Sequence, residues 1–130
     1  MNATVKRYFE AFNAGDVDGM IDCLSDDVEH HVNEGRIRKG KDAFRAFCQH
    51  MSRCYDETLT EMVIFEADGG QRAAAEYTVN GTYLQTDAGL PEANGQGYSL
   101  PAGSFFSLEG DRISRVTTYY NLADWLRQVS

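Results

Sequence analysis

The chain of 130 residues has the usual length of one domain, and its 42% hydrophobic and 25% charged content is typical of a folded globular protein. Its net charge of −8 argues against nucleic acid as a partner, because phosphate contacts need a basic surface. No apolar run approaches the ~18 residues that a membrane span requires, so we expect a single cytoplasmic domain over residues 1–130 with no membrane partner.

Helical periodicity dominates the first half of the chain. The apolar stripe of a first amphipathic helix consists of Val5, Tyr8, Phe9 and Phe12. Gly15 ends this helix, and Asp16 is placed to cap a second one. The stripe of that second helix consists of Val17, Met20, Ile21 and Leu24. A third stripe follows Gly40 and consists of Phe44, Phe47, Cys48, Met51 and Tyr55.

In the second half the pattern changes to residues that favour strands. Segments 59–67, 72–85, 98–109 and 112–121 are rich in Val, Ile, Thr, Tyr and Phe, and glycine-containing segments separate them. A shorter strand over 28–32 lies between the second and third helices, and Asn121 is placed to cap a last helix. This order predicts an α+β domain in which helices pack on a strongly curved, mostly antiparallel sheet that forms a cone with an internal pocket.

The cysteine and histidine residues give no recognised metal-binding pattern. Three cysteines, none in a Cys-x-x-Cys pair, are predicted to be buried free thiols: Cys23, Cys48 and Cys54. His30 and His31 are adjacent on a predicted strand, so their side chains point to opposite faces and cannot chelate one ion together. His50 lies on the third helix with no acidic partner at ligand spacing. We therefore expect no metal and no cofactor.

His30 is the candidate for proton transfer. Alternation along the strand places it on the same face as Val28 and Val32, and these apolar neighbours turn that face toward the pocket. An imidazole of ordinary pKa, about 6.5, acts as a general base at cytosolic pH, so activity would rise between about pH 6 and 7. The alternative is a core histidine that is held by a hydrogen bond to another pocket residue.

Alternation along the long strands predicts the wall of the pocket. The residues expected to bind a substrate together with Val32 are Tyr77, Val79, Tyr83, Ser104, Phe106 and Thr118. Such a mainly aromatic and aliphatic wall suits a small hydrophobic organic ligand, although the rings could instead simply fill the cone. The opposite sheet face carries Thr82, Thr117 and Tyr119, and we expect it to pair two copies of the chain as a homodimer.

Segment 86–103 is the most unusual stretch of the chain. It contains both prolines and four of the twelve glycines. Long loops of this kind often act as lids or binding loops, and Tyr98 could fold onto the pocket mouth as part of the ligand site. The alternative is a flexible surface excursion.

Short motifs along nearly the whole chain resemble those of one superfamily. They are YFEAFNAGDVDGM at 8–20, LSDDV at 24–28, GKDAF at 40–44, GDRI at 110–113 and YYN at 119–121, followed by Trp125. They resemble the nuclear transport factor 2-like superfamily, and within it the ketosteroid isomerase-related proteins and SnoaL-like polyketide cyclases. The resemblance implies the α+β cone, but it leaves the activity open because the superfamily contains both enzymes and non-enzymatic adaptors.

The resemblance also implies where functional residues would stand. The oxyanion-binding Tyr of the isomerase falls on Tyr8, its Asp base falls on Val32, and its second, protonated Asp falls near Ser104. Because two of these three groups are missing, steroid isomerisation by that mechanism is not expected.

Two functions are consistent with these residues. The first is a cofactor-independent enzyme of the isomerase, cyclase or dehydratase type, acting on a small hydrophobic carbonyl compound. In it His30 would move a proton, and Tyr8 or Tyr120 would hydrogen-bond a developing oxyanion. The second is a non-catalytic small-molecule-binding or dimerisation module of the same fold. Convergence of His30, Tyr8 and Tyr120 on one point would favour the enzyme, whereas a cone filled by side chains would favour the binding module.

Overall fold

A computed structural model describes residues 3–32 and 36–130 of the chain. The described residues form four α-helices, a short 3-10 turn and one six-stranded sheet. The helices are α1 (Thr4–Ala14), α2 (Val17–Ile21), α3 (Lys41–Cys54) and α4 (Leu122–Val129). The strands are β1 (Leu24–Val32), β2 (Arg36–Lys39), β3 (Tyr55–Ala67), β4 (Arg72–Tyr83), β5 (Gly97–Glu109) and β6 (Arg112–Tyr120).

The three residues predicted to cap helices stand at helix ends, Gly15 after α1, Asp16 before α2 and Asn121 before α4. Gly15 follows α1 with a φ of 70°, a left-handed conformation that glycine adopts without strain. Asp16 caps α2 by accepting the backbone N–H of Gly19 at 2.9 Å. The apolar stripe predicted for the second helix was wrong in its last residue, because α2 ends at Ile21 and Leu24 already begins β1. None of the helices in the described ranges is long and apolar enough to cross a membrane.

The sheet has the strand order β2-β1-β6-β5-β4-β3. Strands β3 to β6 form the predicted antiparallel meander, whereas β1 runs parallel to β6 and antiparallel to β2. The predicted fold class, helices packed on a curved and mostly antiparallel sheet, is therefore confirmed. Strand β2 was not predicted, because its sequence RIRK is short and carries no alternation of apolar residues.

Residues 97–103 of the segment predicted as a loop belong to β5, in agreement with the strand that was predicted over 98–109. Strand β5 begins at Gly97, so the connection from β4 covers residues 84–96. Leu90 and Ala93 of this connection pack against the cluster around Trp125. The connection is thereby attached to the protein core by apolar contacts.

Two apolar clusters hold the described elements together. The inner cluster lies between α1, α3 and the sheet, and its ring members are Tyr8, Phe9, Phe44, Tyr77 and Phe106. The C-terminal cluster joins α4 to the far ends of β4 and β5, and its members are Tyr83, Tyr98, Leu100, Trp125 and Val129. All three cysteines are buried free thiols, as predicted.

Gly81 lies where the side chain of Tyr98 crosses β4. A Cβ atom added to Gly81 would lie 2.3 Å from Cζ of Tyr98, far closer than atoms can approach. Tyr98 is held in place because its hydroxyl donates to Oε2 of Glu57 at 2.7 Å and its ring packs 6.0 Å from that of Trp125. The position therefore requires glycine.

Gly81→Ala is expected to lower the free energy of unfolding by about 1–3 kcal/mol, since it forces a buried ring out of place. Gly97→Ala on the adjacent strand is the matched control, because a Cβ atom there would make only an ordinary contact of 3.9 Å with Gly81 O. Urea unfolding measures both variants. Equal stability of the two would contradict the close approach of Tyr98 to β4.

Candidate functional site

Three hydroxyl groups form a hydrogen-bonded chain on the inner face of the sheet, the face that α1 and α3 cover. Tyr77 Oη lies 2.7 Å from Ser104 Oγ, and Ser104 Oγ lies 2.9 Å from Thr118 Oγ1. The three residues come from the neighbouring strands β4, β5 and β6. Tyr77 and Ser104 are buried, whereas Thr118 is half-buried. This hydroxyl chain therefore ends at its most accessible member.

The hydroxyl chain lies directly beside β1. Thr118 is in register with Val32 of β1 as well as with Ser104 of β5, and His30 is in register with Val116. Around Thr118, the inner face carries further half-buried residues: Val32, Val79, Ala102 and Tyr120. This region is the accessible part of the inner face, while the rings of the inner cluster fill the deeper part.

His30 lies in an aromatic environment. Its ring centroid is 5.0 Å from that of Phe44 and 4.7 Å from that of Phe47, and the residue is 5% exposed. Nδ1 of His30 is buried and has no hydrogen-bond partner in the described part of the chain. A buried polar atom without a partner costs about 1–3 kcal/mol, and most folds avoid one. A core histidine, which was the alternative interpretation of His30, would be held by such a partner.

The surroundings of His30 strongly disfavour its charged form. Burial lowers the pKa of His30 from 6.5 to about 4, and the charges of Arg38 and His31 add to this effect. Arg38 is in register with His30, and its guanidinium carbon lies 4.6 Å from the centre of the Phe47 ring. The ring of Phe47 thus contacts both side chains. The ordinary pKa expected from the sequence is wrong for the folded chain, in which His30 is neutral well below pH 6.

Tyr8 is part of the inner ring cluster. Its ring lies 5.3 Å from that of Phe9 and 5.8 Å from that of Phe106. Burial raises the pKa of Tyr8, and the neighbouring ionisable groups Cys48, Tyr77 and Cys23 raise it further. Its hydroxyl therefore keeps its proton at neutral pH.

The remaining predicted ligand-binding residues divide between the two clusters. Phe106 belongs to the inner cluster with Tyr77, and Val79 packs against both clusters. Tyr83 and Tyr98 belong to the C-terminal cluster, and Tyr120 packs against it. Tyr8 and Tyr120 therefore pack in different clusters.

The hydroxyls of two of these tyrosines already have protein partners. Tyr83 donates to Pro91 O at 2.7 Å and accepts the N–H of Asp87 at 2.9 Å, and Tyr98 donates to Glu57. Burial raises the pKa of Glu57, and the hydrogen bond from Tyr98 lowers it by a smaller amount.

Sequence reasoning missed the immediate environment of His30. Phe44 and Phe47 were assigned to one face of α3, but nothing local indicated that this face covers β1. The contribution of Arg38 depends on strand β2, which was not predicted. The hydroxyl chain was missed as a unit, although all three of its members were named as wall residues.

Comparisons with known proteins identify this architecture as the nuclear transport factor 2-like fold. A protein of that fold from Burkholderia pseudomallei, with 21% sequence identity, superposes with a TM-score of 0.78 and covers 98% of this chain and 95% of that chain. The SnoaL-like domain family matches residues 5–116, and the chain belongs to this family. The resemblance noted in the sequence is thus confirmed.

Two solved structures share far more of the sequence. A proposed polyketide cyclase from Silicibacter sp. tm1040 is 69% identical, with a TM-score of 0.97 and coverage of 99% of this chain and 94% of that chain. Another, from Pseudomonas putida, is 50% identical, with a TM-score of 0.97 and coverage of 99% and 97%. The comparison with curated proteins returned no match.

The lowered pKa of His30 predicts a defined dependence of stability on pH. The folded pKa of about 4 lies below the value of 6.5 for an unfolded chain, so unfolded molecules bind a proton in this range that folded molecules do not. Above pH 6.5 the effect is absent. As the pH falls from 6.5 to 4, His30 is expected to remove about 3 kcal/mol of stability.

Urea unfolding at several pH values, for the wild type and for His30→Gln, measures this contribution. In the variant, the free energy of unfolding is expected to fall much less between pH 6.5 and 4 than it does in the wild type. His31→Gln is the matched control and is expected to keep it, because His31 is only partly buried. An unchanged decline in His30→Gln would show that other groups cause it.

Proposed function

We propose that this chain is a cytoplasmic, cofactor-independent enzyme of the isomerase, cyclase or dehydratase type, acting on a small hydrophobic carbonyl compound at the inner sheet face. The observation that carries the proposal is the hydroxyl chain that ends at Thr118, beside the strand that carries His30. Membership of the SnoaL-like family and high identity to two proposed polyketide cyclases support this class of reaction.

The hydroxyl chain is assigned the role of stabilising an enolate oxygen. If Tyr77 donates to Ser104 and Ser104 donates to Thr118, the hydroxyl of Thr118 keeps its own proton for the ligand. Successive hydrogen bonds polarise one another, which makes the last hydroxyl a stronger donor. Tyr8 or Tyr120 would provide a further donor, and the raised pKa of Tyr8 keeps its hydroxyl protonated.

His30 is assigned the role of proton transfer. Because its pKa is about 4, the imidazole is neutral at cytosolic pH and ready to accept a proton. Its basicity is then close to that of the Asp base of ketosteroid isomerase, whose pKa is about 4.6. Since Nδ1 is buried, its use by a substrate would require a neighbouring side chain to move, and Phe47 is the half-buried one of the two rings that contact His30.

The proposed reaction begins with removal of a proton from the carbon beside the carbonyl group. The electrons of the C–H bond form an enolate, whose oxygen accepts a hydrogen bond from Thr118. In an isomerisation, protonated His30 returns the proton to a different carbon. In a cyclisation, the enolate carbon attacks a second carbonyl of the same molecule and the proton ends on the new alkoxide. In a dehydration, the proton on His30 combines with the departing hydroxide to form water.

The hydrophobic wall is assigned to the half-buried Val32 and Val79 beside the hydroxyl chain, with the fully buried Phe106 behind them. Tyr83 and Tyr98 were predicted to bind the ligand, and we now assign them to support of the wall. The reason is that their hydroxyls are bonded to Pro91, Asp87 and Glu57.

His30→Gln is expected to lower kcat/KM by about 10²-fold or more, the usual effect of losing a general base. The assay follows conversion of an aromatic or polyketide-type carbonyl compound identified by metabolite screening. His31→Gln is the matched control and is expected to change the rate little. The wild-type rate should stay constant through neutral pH and fall only near pH 4, where His30 takes up a proton.

The same assay tests the oxyanion role with a conservative pair at Thr118. Thr118→Val removes the hydroxyl and is expected to lower kcat by about 10- to 10³-fold, whereas Thr118→Ser keeps the hydroxyl and most of the rate. A folded His30→Gln protein with full activity would refute the proposed chemistry. Ligand binding without turnover in the wild type would favour the passive binding module.

The outer sheet face is assigned to a second copy of the chain. Four large apolar residues on this face are 44–55% exposed: Val63, Phe65, Phe105 and Tyr119. Phe65 and Phe105 lie on either side of Ala74, and the ring of Phe105 contacts that of Tyr119 at 5.9 Å. Thr117, also predicted for this surface, is instead buried and accepts a hydrogen bond from Arg115. An exposed apolar patch of this kind favours self-association.

Sedimentation equilibrium at micromolar concentration is expected to give a dimer of the 14.5 kDa chain. Phe105→Glu should shift the equilibrium toward monomer by at least about 10-fold, because it buries a charge in the interface. Leu84→Glu is the matched control, since Leu84 is 48% exposed but lies in the connection after β4, away from the patch. A wild-type monomer throughout would exclude this interface.

A further inference from the structure

Three side chains with metal-binding atoms meet at the end of α3, away from the hydroxyl chain. His50 and Cys54 are four residues apart on α3, so they project from the same side of the helix. Asp87 reaches them from the connection between β4 and β5, and its Oδ1 lies 2.9 Å from Nε2 of His50. The nitrogen, sulfur and oxygen donors of the three residues all lie within 4.8 Å of one another.

Hydrogen bonds to two tyrosines fix the position of Asp87, one through its carboxylate and one through its backbone. The hydroxyl of Tyr55 donates to Oδ2 of Asp87 at 2.7 Å, which leaves Oδ1 facing His50. The backbone N–H of Asp87 donates to the hydroxyl of Tyr83 at 2.9 Å. Tyr83 is fully buried and stacks on Tyr55 with 5.4 Å between ring centres. Metal-binding carboxylates in proteins are oriented by such outer hydrogen bonds.

The donor set fits one class of ion. An imidazole, a thiolate and a carboxylate are the three side-chain types that bind zinc, at about 2.0 to 2.3 Å from the ion. Donors at that range lie roughly 3 to 4 Å apart in a tetrahedron, so His50 and Asp87 need little movement. Cys54 is buried, and a thiolate there would approach the ion from the protein side.

We propose that His50, Cys54 and Asp87 bind Zn²⁺, with water as the fourth ligand. Binding replaces the thiol proton of Cys54, which is released to solvent, and leaves His50 neutral. The ion would join the end of α3 to the connection over residues 84–96, which contributes Asp87. None of the three donors belongs to the inner-face site, so this proposal does not rest on the proposed reaction.

Cobalt titration of the tag-free, reduced and EDTA-treated protein tests the proposal. One equivalent of Co²⁺ is expected to give the thiolate-to-cobalt charge-transfer band and the visible bands of a tetrahedral ion, and Zn²⁺ should bleach both. Cys54→Ser should abolish the charge-transfer band. Cys23→Ser and Cys48→Ser are the matched controls, and they should retain it, since both thiols lie outside the cluster.

Further variants test whether all three residues bind the ion or whether the thiol binds it alone. His50→Gln and Asp87→Asn are each expected to weaken Co²⁺ binding by more than about 10-fold, and Tyr55→Phe by about 10- to 100-fold through the loss of carboxylate orientation. Zn²⁺ should raise the Tm of the wild type but not that of Cys54→Ser. The proposal is overturned if the wild type gives no charge-transfer band, or if the band survives in Cys54→Ser. Unchanged affinity in both His50→Gln and Asp87→Asn would overturn it as well.

Discussion

Strand β6 pairs with β5 on one side and with β1 on the other, and the inner face of the sheet depends on this central position. Antiparallel pairing with β5 aligns Thr118 with Ser104, and parallel pairing with β1 aligns the same residue with Val32. Paired residues on one sheet face have neighbouring side chains, so these two pairings bring polar groups from several strands together. A slip of one residue would turn Thr118 to the outer face and break the hydroxyl chain.

The polar groups that this pairing buries are satisfied to different degrees. Tyr77, Ser104 and Thr118 hydrogen-bond to one another, so their burial costs little. Nδ1 of His30, only one strand away, has no partner in the described residues, and burial has suppressed the basicity of the ring. Folds that satisfy most polar atoms tend to leave exceptions where a ligand or a reaction needs them. This contrast supports the division of roles between His30 and the hydroxyl chain.

Tyr83 organises the opposite end of the molecule. Its ring stacks on Tyr55 and contacts Trp125 at 5.2 Å, and its hydroxyl binds two backbone groups of the connection that follows β4. The segment interpreted as a lid or a surface excursion is therefore attached to a buried aromatic residue. The same contacts hold Asp87 beside His50. Tyr83 therefore both anchors the connection and positions one member of the donor cluster.

Local patterns were enough to predict the helices, the meander and the inward side of each long strand, because amphipathic periodicity, capping residues and glycine turns act over a few residues. They also identified His30, Tyr77, Ser104 and Thr118 as inward-facing, since alternation on a strand needs no tertiary information. The spacing of His50 and Cys54 on one helix was a further local signal, but it was not recognised.

Long-range contacts decided the rest. Register between strands linked three separate hydroxyls, the unpredicted β2 placed Arg38 opposite His30, and packing by Phe44 and Phe47 removed the imidazole from water. Contacts with Tyr83 and Tyr55 hold Asp87 beside His50. A pKa, a hydrogen-bonded chain and a donor cluster depend on distances between remote segments, and those distances exist only once the chain has folded.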